Sequence, residues 1–311
     1  MSIQKIGLLL AACLLLSCSN AQKKLETDWS KEGLMGAVKS MTTTQYKPLS
    51  EAATVGTTEN LGLLQEDTRL YDEAGFCIEM RHKSRGGKIQ TKRVLVYNDL
   101  HWLTNETHYK GTVKEPVLTN VFEYDKEGDL QKQTYTGQGQ GPVSTVYTYS
   151  EDKTLRNGQV KTEKGIVQST YETFFDASGN ITKDIRFNKD GESMAYAMHH
   201  RYDSEERLYC TEIYNPVGNN FSVSKFNKEG QKIEVRKYRD GLITSACRYA
   251  YDEKGNEQEV SCDINEAGVK RVVKSTMQYE YDEQGNWIRK TTLQEGVVTY
   301  VVERALEYYE K

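Results

Sequence analysis

Proline is scarce, with four in 311 residues, so little in the chain interrupts a long backbone hydrogen-bond ladder. Cysteine is sparse too: there are six, and none lies in a CxxC arrangement. That spacing gives no signature of a zinc site or a dithiol redox centre. HExxH, GxSxG, GxxxxGK[ST] and GxGxxG are all missing, so no local catalytic or nucleotide-binding motif is written in the chain. Charge of one sign is lacking as well: 41 basic side chains stand against 45 acidic ones, a net of −4. No basic tract or stripe stands out, and a nucleic-acid partner is not expected. Beyond the first residues no apolar run is long enough to cross a bilayer as a helix.

What is present begins with a targeting signal. Lys5 gives a positive start, Ile6 to Leu16 an apolar stretch too short for a stop-transfer helix, and Leu15-Leu16-Ser17-Cys18 closes it. The tetrad resembles a lipobox, in which the Cys18 thiol is acylated and its amine freed by cleavage. The expected organisation is a signal peptide over 1–17, a lipidated tether over 18–28, and a single β domain over 29–311. A lipid on Cys18 would tie a body without a spanning helix to a membrane.

Tyrosine outnumbers phenylalanine by 21 to 7, which suits sheets with one wet face. Residues 37–46 are rich in β-branched side chains and read as a first strand. Residues 47–65, with Pro48, two glycines and no firm period, read as a long loop. From about Leu64 a repeat takes over. Its anchors are Tyr71, Tyr97, Tyr124, Tyr149, Phe175, Tyr202, Phe226, Tyr251 and Tyr281, each followed by Asp, Asn or Ser and spaced roughly 26 residues apart. Six copies place Gly three residues after that polar residue, as in Tyr281-Asp282-Glu283-Gln284-Gly285. Asp there accepts backbone N–H groups and Gly takes the left-handed conformation of a tight hairpin turn. The copies at Asn98, Ser150 and Asp203 lack the Gly, which predicts longer or differently shaped turns. Second turns between anchors, such as Asn188 to Gly191 and Glu295-Gly296, match the far ends of the hairpins. Each unit is therefore a hairpin, giving about 18 strands plus the first one. The predicted fold is all-β: a repetitive antiparallel meander of ~26-residue hairpins, curled into one twisted, superhelical or barrel-like sheet with the tyrosine-rich face inside.

Iterated at this spacing, Tyr-Asp-x-x-Gly-Asn/x-hydrophobic looks like the YD repeats of Rhs and teneurin-type proteins. The closing segments, Tyr279 to Lys290 and Glu303 to Tyr309, are similar to the ends of small YD-repeat lipoproteins of Bacteroidota. The resemblance covers about Leu64 to Glu310. It implies a spiralled sheet or hollow shell, in some relatives built around a toxin, and a capacity for carbohydrate. The Rhs core signature is absent here, and so is a toxin domain beyond the repeats. In such lipoproteins an acidic cluster after the lipid-bearing Cys marks surface export. Ser19 to Lys24 contains none, which implies an outer-membrane protein facing the periplasm, with surface exposure the alternative.

Candidate chemistry is thin. His199 and His200 are adjacent and would point to opposite faces of a strand. His101 and His108 show no ligand spacing and read as solvated. Asp263 to Gly268 starts like an EF-hand loop but puts Ala267 and Lys274 where ligands are needed. No metal and no cofactor are expected. Of the remaining thiols, Cys77, Cys210, Cys247 and Cys262, the pair 247 and 262 flanks one turn. The register is not fixed by sequence, so isolated buried thiols are the reading taken. Trp102 and Trp287 are the candidate ligand-contact aromatics, for a glycan or another envelope component, against the plainer reading of core packing. The function expected is a non-catalytic, lipid-anchored envelope scaffold. Its alternatives are a hydrolase with a site assembled across distant strands, or a structural subunit of an envelope assembly.

Overall fold

The computed structural model describes residues 26–49, 55, 60–85, 87–215, 219–266 and 268–310. The expected signal peptide, Cys18 and most of the tether lie outside the described residues.

One turn of helix, α1 (Asp28–Lys31), precedes strand β1 (Val38–Pro48). Nine hairpins follow, each bent at an anchor turn. They are β2 and β3 (Leu61–Tyr71, Cys77–Ser84), β4 and β5 (Ile89–Tyr97, Leu103–Lys110), and β6 and β7 (Leu118–Tyr124, Leu130–Gly137). Next come β8 and β9 (Val143–Tyr149, Leu155–Thr162), β10 and β11 (Val167–Phe175, Ile181–Asn188), and β12 and β13 (Ser193–Tyr202, Leu208–Asn215). The last three are β14 and β15 (Asn220–Phe226, Lys232–Arg239), β16 and β17 (Leu242–Tyr251, Glu257–Glu266), and β18 and β19 (Val269–Tyr281, Trp287–Gln294). Strand β20 (Val297–Tyr308) ends the meander.

Each strand from β2 onward pairs antiparallel with the next, and β1 lies between β2 and β20, paired antiparallel with both. The 20 strands therefore close into a β-barrel with no free sheet edge. The strand after Glu295-Gly296 is the one missing from the sequence count. It matters, because a ring paired antiparallel throughout needs an even number of strands. The first strand runs on to Pro48 and β2 already starts at Leu61, so the expected loop over 47–65 gives up both its ends to the sheet.

The anchor turns share one chemistry. In the turn after Tyr281, Asp282 Oδ1 accepts from the backbone N–H of Gln284 at 3.0 Å and of Asn286 at 2.8 Å. The same pair of bonds recurs at Asp72, Asp125, Asp176, Asp203, Asp252, Asn98 and Asn227. Glycine-free copies do not change shape at 98 and 203. His101 and Glu206 hold the glycine position at φ +59° and +61°, and the closing bonds are retained. Only the turn at Ser150 is longer: Ser150 N–H reaches Leu155 O, with Lys153 left-handed at φ +57°. At Gly128 the requirement is double, because φ is +91° and a Cβ would sit 2.6 Å from the Trp102 ring.

The anchor rings lie on one face, the more sheltered one. Along β18, Val273, Ser275, Met277, Tyr279 and Tyr281 are half-buried while the residues between them are exposed. Shading of this kind is what converging side chains produce, and it puts the anchor face on the inner side of the ring. Ring-to-ring stacking is not the main contact there. Instead five of the seven anchor tyrosine hydroxyls donate to the backbone carbonyl that opens the preceding post-turn strand: Tyr97 to Cys77, Tyr124 to Leu103, Tyr149 to Leu130, Tyr202 to Ile181 and Tyr251 to Lys232, at 2.7–3.1 Å. Tyr281 donates to the Asp252 carboxylate at 3.3 Å, and the Tyr71 hydroxyl is buried without a hydrogen-bond partner among the described residues. Phe175 and Phe226 keep the ring but have no hydroxyl to donate. At the seam Tyr308 takes the tenth place, donating to Asp282 at 2.5 Å and accepting from Asn286 at 2.7 Å.

Across β16 and β17, Cys247 and Cys262 are direct register partners on the anchor face and form a disulfide, with Cα atoms 4.0 Å apart. That corrects the reading of isolated thiols for this pair. Cys77 and Cys210 are free and buried as expected.

Two outcomes follow from this architecture. Deleting residues 1–48 removes the strand that closes the ring and leaves β2 and β20 as bare edges. Size-exclusion chromatography should then show oligomers, whereas deletion of residues 1–25 should leave a monomer. Tyr149→Phe strands the Leu130 carbonyl and should lower stability by about 1 kcal/mol in urea unfolding, with the fold retained.

Candidate ligand-binding site

On the anchor face near the seam, β20, β1, β2, β3 and β4 surround a cavity of about 370 Å³. Its charged lining includes Asp67, Arg69, Arg81, His82, Arg93 and Arg304, over a floor that includes Met80. Glu32, which caps the end of α1, reaches in from the N-terminal side. That segment is pinned by Trp29, whose indole N–H donates to Val38 O at 2.8 Å, and by Asp28, whose carboxylate accepts from Cys77 N–H at 2.8 Å.

Most charges in and beside the cavity are already matched. Asp67 lies 2.8 Å from His82 Nδ1, and Arg69 pairs with Glu32. Arg93 pairs with Glu106, which is 2% exposed and also has His108 Nε2 at 2.9 Å and Asn120 Nδ2 at 3.2 Å. Burial alone would raise the Glu106 carboxyl. The hydrogen bonds from His108 and Arg93 and the Arg93 charge outweigh it and hold the pKa down at about 2. His108 is thus part of a polar cluster across β4, β5 and β6, and His101 stacks on Phe76 with centroids 4.5 Å apart. Neither is the solvated histidine the sequence suggested. His199 and His200 do separate onto opposite faces, and His200 Nδ1 lies 3.0 Å from Thr211 Oγ1.

Arg304 is different. Its side chain is 12% exposed, its nearest carboxylate oxygen, on Glu32, is 3.8 Å away, and its Nε is buried without a hydrogen-bond partner. Its guanidinium lies over the Trp287 ring, 3.6 Å from the centroid. Desolvation by burial pulls its pKa down to about 10, still charged at neutral pH.

Trp287 therefore has one face covered by Arg304 and an edge contact to Tyr279 at 6.0 Å. It stands beside the cavity rather than in its wall. Trp102 packs on Tyr124, with centroids 5.4 Å apart, and against the Gly128 turn. The two are on separate parts of the ring and do not form one site. Sequence reading missed Arg69, Arg93, Glu106 and Arg304, because the strands that bring them together lie at opposite ends of the chain. The one available signal was parity: Arg69 and Asp67 sit two and four residues before Tyr71, on its side of the strand. Among the described residues no group of His, Cys, Asp and Glu is arranged to hold a metal ion.

No known protein family matches the sequence, and no curated protein does. Among solved structures, the chain is similar to a porin-like protein from Bacteroides uniformis, at 10% identity and a TM-score of 0.35, over 88% of this chain and 98% of that one. A porin-like protein from Bacteroides vulgatus matches at 12% identity and a TM-score of 0.30, over 88% and 99%. The TcdB2-TccC3 complex matches at 10% identity and 0.25, over 76% of this chain and 16% of that one.

The ion cluster carries its own test. Because the folded pKa of Glu106 is depressed, its stabilisation is present above the ordinary carboxylate range and is lost as pH falls from about 4.5 through about 2. Glu106→Gln should cost about 2 kcal/mol at pH 7, below the range for a fully buried pair because Arg93 stays partly solvated. In thermal melts the gap between variant and parent should narrow steadily as pH drops through that window.

Proposed function

We propose that this chain is a lipid-anchored barrel of the cell envelope, exposed to water on its outside, that binds or organises another envelope component without chemistry of its own. The observation that carries this reading is the charge on both faces of the sheet. A barrel that spans a bilayer needs an outward apolar band about 25 Å tall. Here the outward face carries cross-strand ion pairs around the ring: Lys132 with Glu123 at 3.2 Å, Arg201 with Glu212 at 2.9 Å, and Lys225 with Glu234 at 3.1 Å. Arg248 with Asp263 at 3.2 Å, Lys274 with Glu259 at 2.9 Å and Arg289 with Glu303 at 2.6 Å continue the series. Leaving such charges in hydrocarbon would cost several kcal/mol each near the midplane. Among the described residues the outward apolar cluster lies at the seam, where Val298 and Val301 meet Tyr46 and Leu61.

A body of this kind needs a separate attachment, and the acyl chain on Cys18 supplies it in this reading. The tether would join the barrel at Glu26, beside the anchor turns, since α1 contacts the turn at Gly75. The anchor-turn rim then faces the membrane and the opposite rim faces away. The orientation inferred is the periplasmic side of the outer membrane. The ligand surface is the polar inner face, where arginine and tyrosine side chains alternate with hydroxyls as a sugar or another polar envelope component requires.

Palmitate labelling in the native host should be lost in Cys18→Ser, and the variant should leave the membrane fraction. Residues 26–311 alone should purify as a folded monomer without detergent. A barrel that needs detergent to stay dispersed, or that remains in the membrane after Cys18→Ser, would overturn the proposal.

A further inference from the structure

The cavity at the seam is positively biased, and the bias is concentrated on one side chain. Arg69, Arg81, His82 and Arg93 each have an acidic partner within the protein, whereas Arg304 shares Glu32 only at 3.8 Å while Glu32 is engaged by Arg69. The Nε atoms of Arg304 and Arg93, like those of Arg156 and Arg186 elsewhere on the ring, are shielded from solvent and have no hydrogen-bond acceptor among the described residues. What sets the cavity apart is the Arg304 charge, whose nearest carboxylate is 3.8 Å away and already engaged. Stacking on Trp287 fixes the plane of the Arg304 guanidinium, which leaves its edge preorganised for a planar or tetrahedral oxyanion.

We infer that this cavity binds a small ligand carrying a carboxylate or phosphate group, with Arg304 as the residue that receives the charge. At about 370 Å³ the space is near the lower end for small-molecule sites, room for a single acidic sugar or a comparable compact anion. Thr43, Gln45 and Thr91 in the wall supply hydrogen-bond partners for hydroxyls, and Met41 and Met80 an apolar floor. This deepens the binding-scaffold reading by naming the ligand class, and it does not depend on the lipid anchor.

The test uses residues 26–311 with inorganic phosphate, D-glucuronate and, as the uncharged control, D-glucose. Binding is followed by calorimetry and by tryptophan fluorescence, because a ligand at Arg304 perturbs the ring beneath it. Saturable binding of phosphate or glucuronate, with glucose at least tenfold weaker, is expected. A preference between the two anions identifies a phosphate or a carboxylate as the natural group. Arg304→Gln should weaken binding at least tenfold. Since that change sits in the seam, a second variant guards against loss of fold: Thr91→Glu, at an exposed wall position, places a competing carboxylate in the cavity and should also abolish binding. Lys237→Gln, on the same face but across the ring, should leave it unchanged. Absence of saturable binding by either anion would overturn the inference, as would affinity unchanged in both cavity variants. If envelope pull-downs with the parent protein recover a partner while neither anion binds, the scaffold reading stands and this one falls.

Discussion

The pairing of β1 with both β2 and β20 is the constraint on which the rest depends. A meander of nine hairpins and a final strand leaves two open edges, each a row of unpaired N–H and C=O groups. One N-terminal strand, inserted antiparallel between them, satisfies both edges at once. That single insertion turns a linear array, in which stability comes from neighbour contacts alone, into a ring in which every strand has two partners. The apolar cluster of Leu34, Val38, Met41, Tyr71 and Cys77, with Trp29, Leu306 and Tyr308 around it, sits at this junction, where closure most needs reinforcement.

Away from the seam the sheet is held less by a fat core than by a repeated polar device. The Asp, Asn or Ser of each turn organises its own backbone, and in five units the tyrosine of the following unit donates to the strand opened by the turn before it. Burial raises the pKa of the Tyr97 and Tyr279 hydroxyls, whose oxygens are shielded from water, so they stay protonated donors across the physiological range. A hydroxyl on a rigid ring can span the gap between ribbons where a shorter side chain cannot. This explains why the repeat prefers tyrosine to phenylalanine in a chain where the rings are only partly buried. Both faces can then afford charge, the outer one in cross-strand pairs and the inner one in clusters such as Glu106 with Arg93, His108 and Asn120.

Much of this was legible in the chain. The period, the turn chemistry and the single tyrosine face are local consequences of Asp, Gly and ring spacing, and they recur often enough to be read without coordinates. The failures are equally physical. His101 and Glu206 accept a left-handed backbone without glycine, because Asn98 and Asp203 already supply the turn's hydrogen bonds. The Cys247–Cys262 bond depends on a register that a one-residue slip would destroy. Arg304 and Arg69 belong to strands at opposite ends of the sequence, and neither carries a motif.

By itself, then, the order of amino acids determined where the backbone turns and which side chains share a face, since both follow from interactions within a few residues. Closure, the odd strand that completes an even ring, and the meeting of Arg304 with Arg69, Arg93 and Glu32 were decided only in three dimensions. They require the first and last strands to lie side by side, and no local preference encodes that encounter.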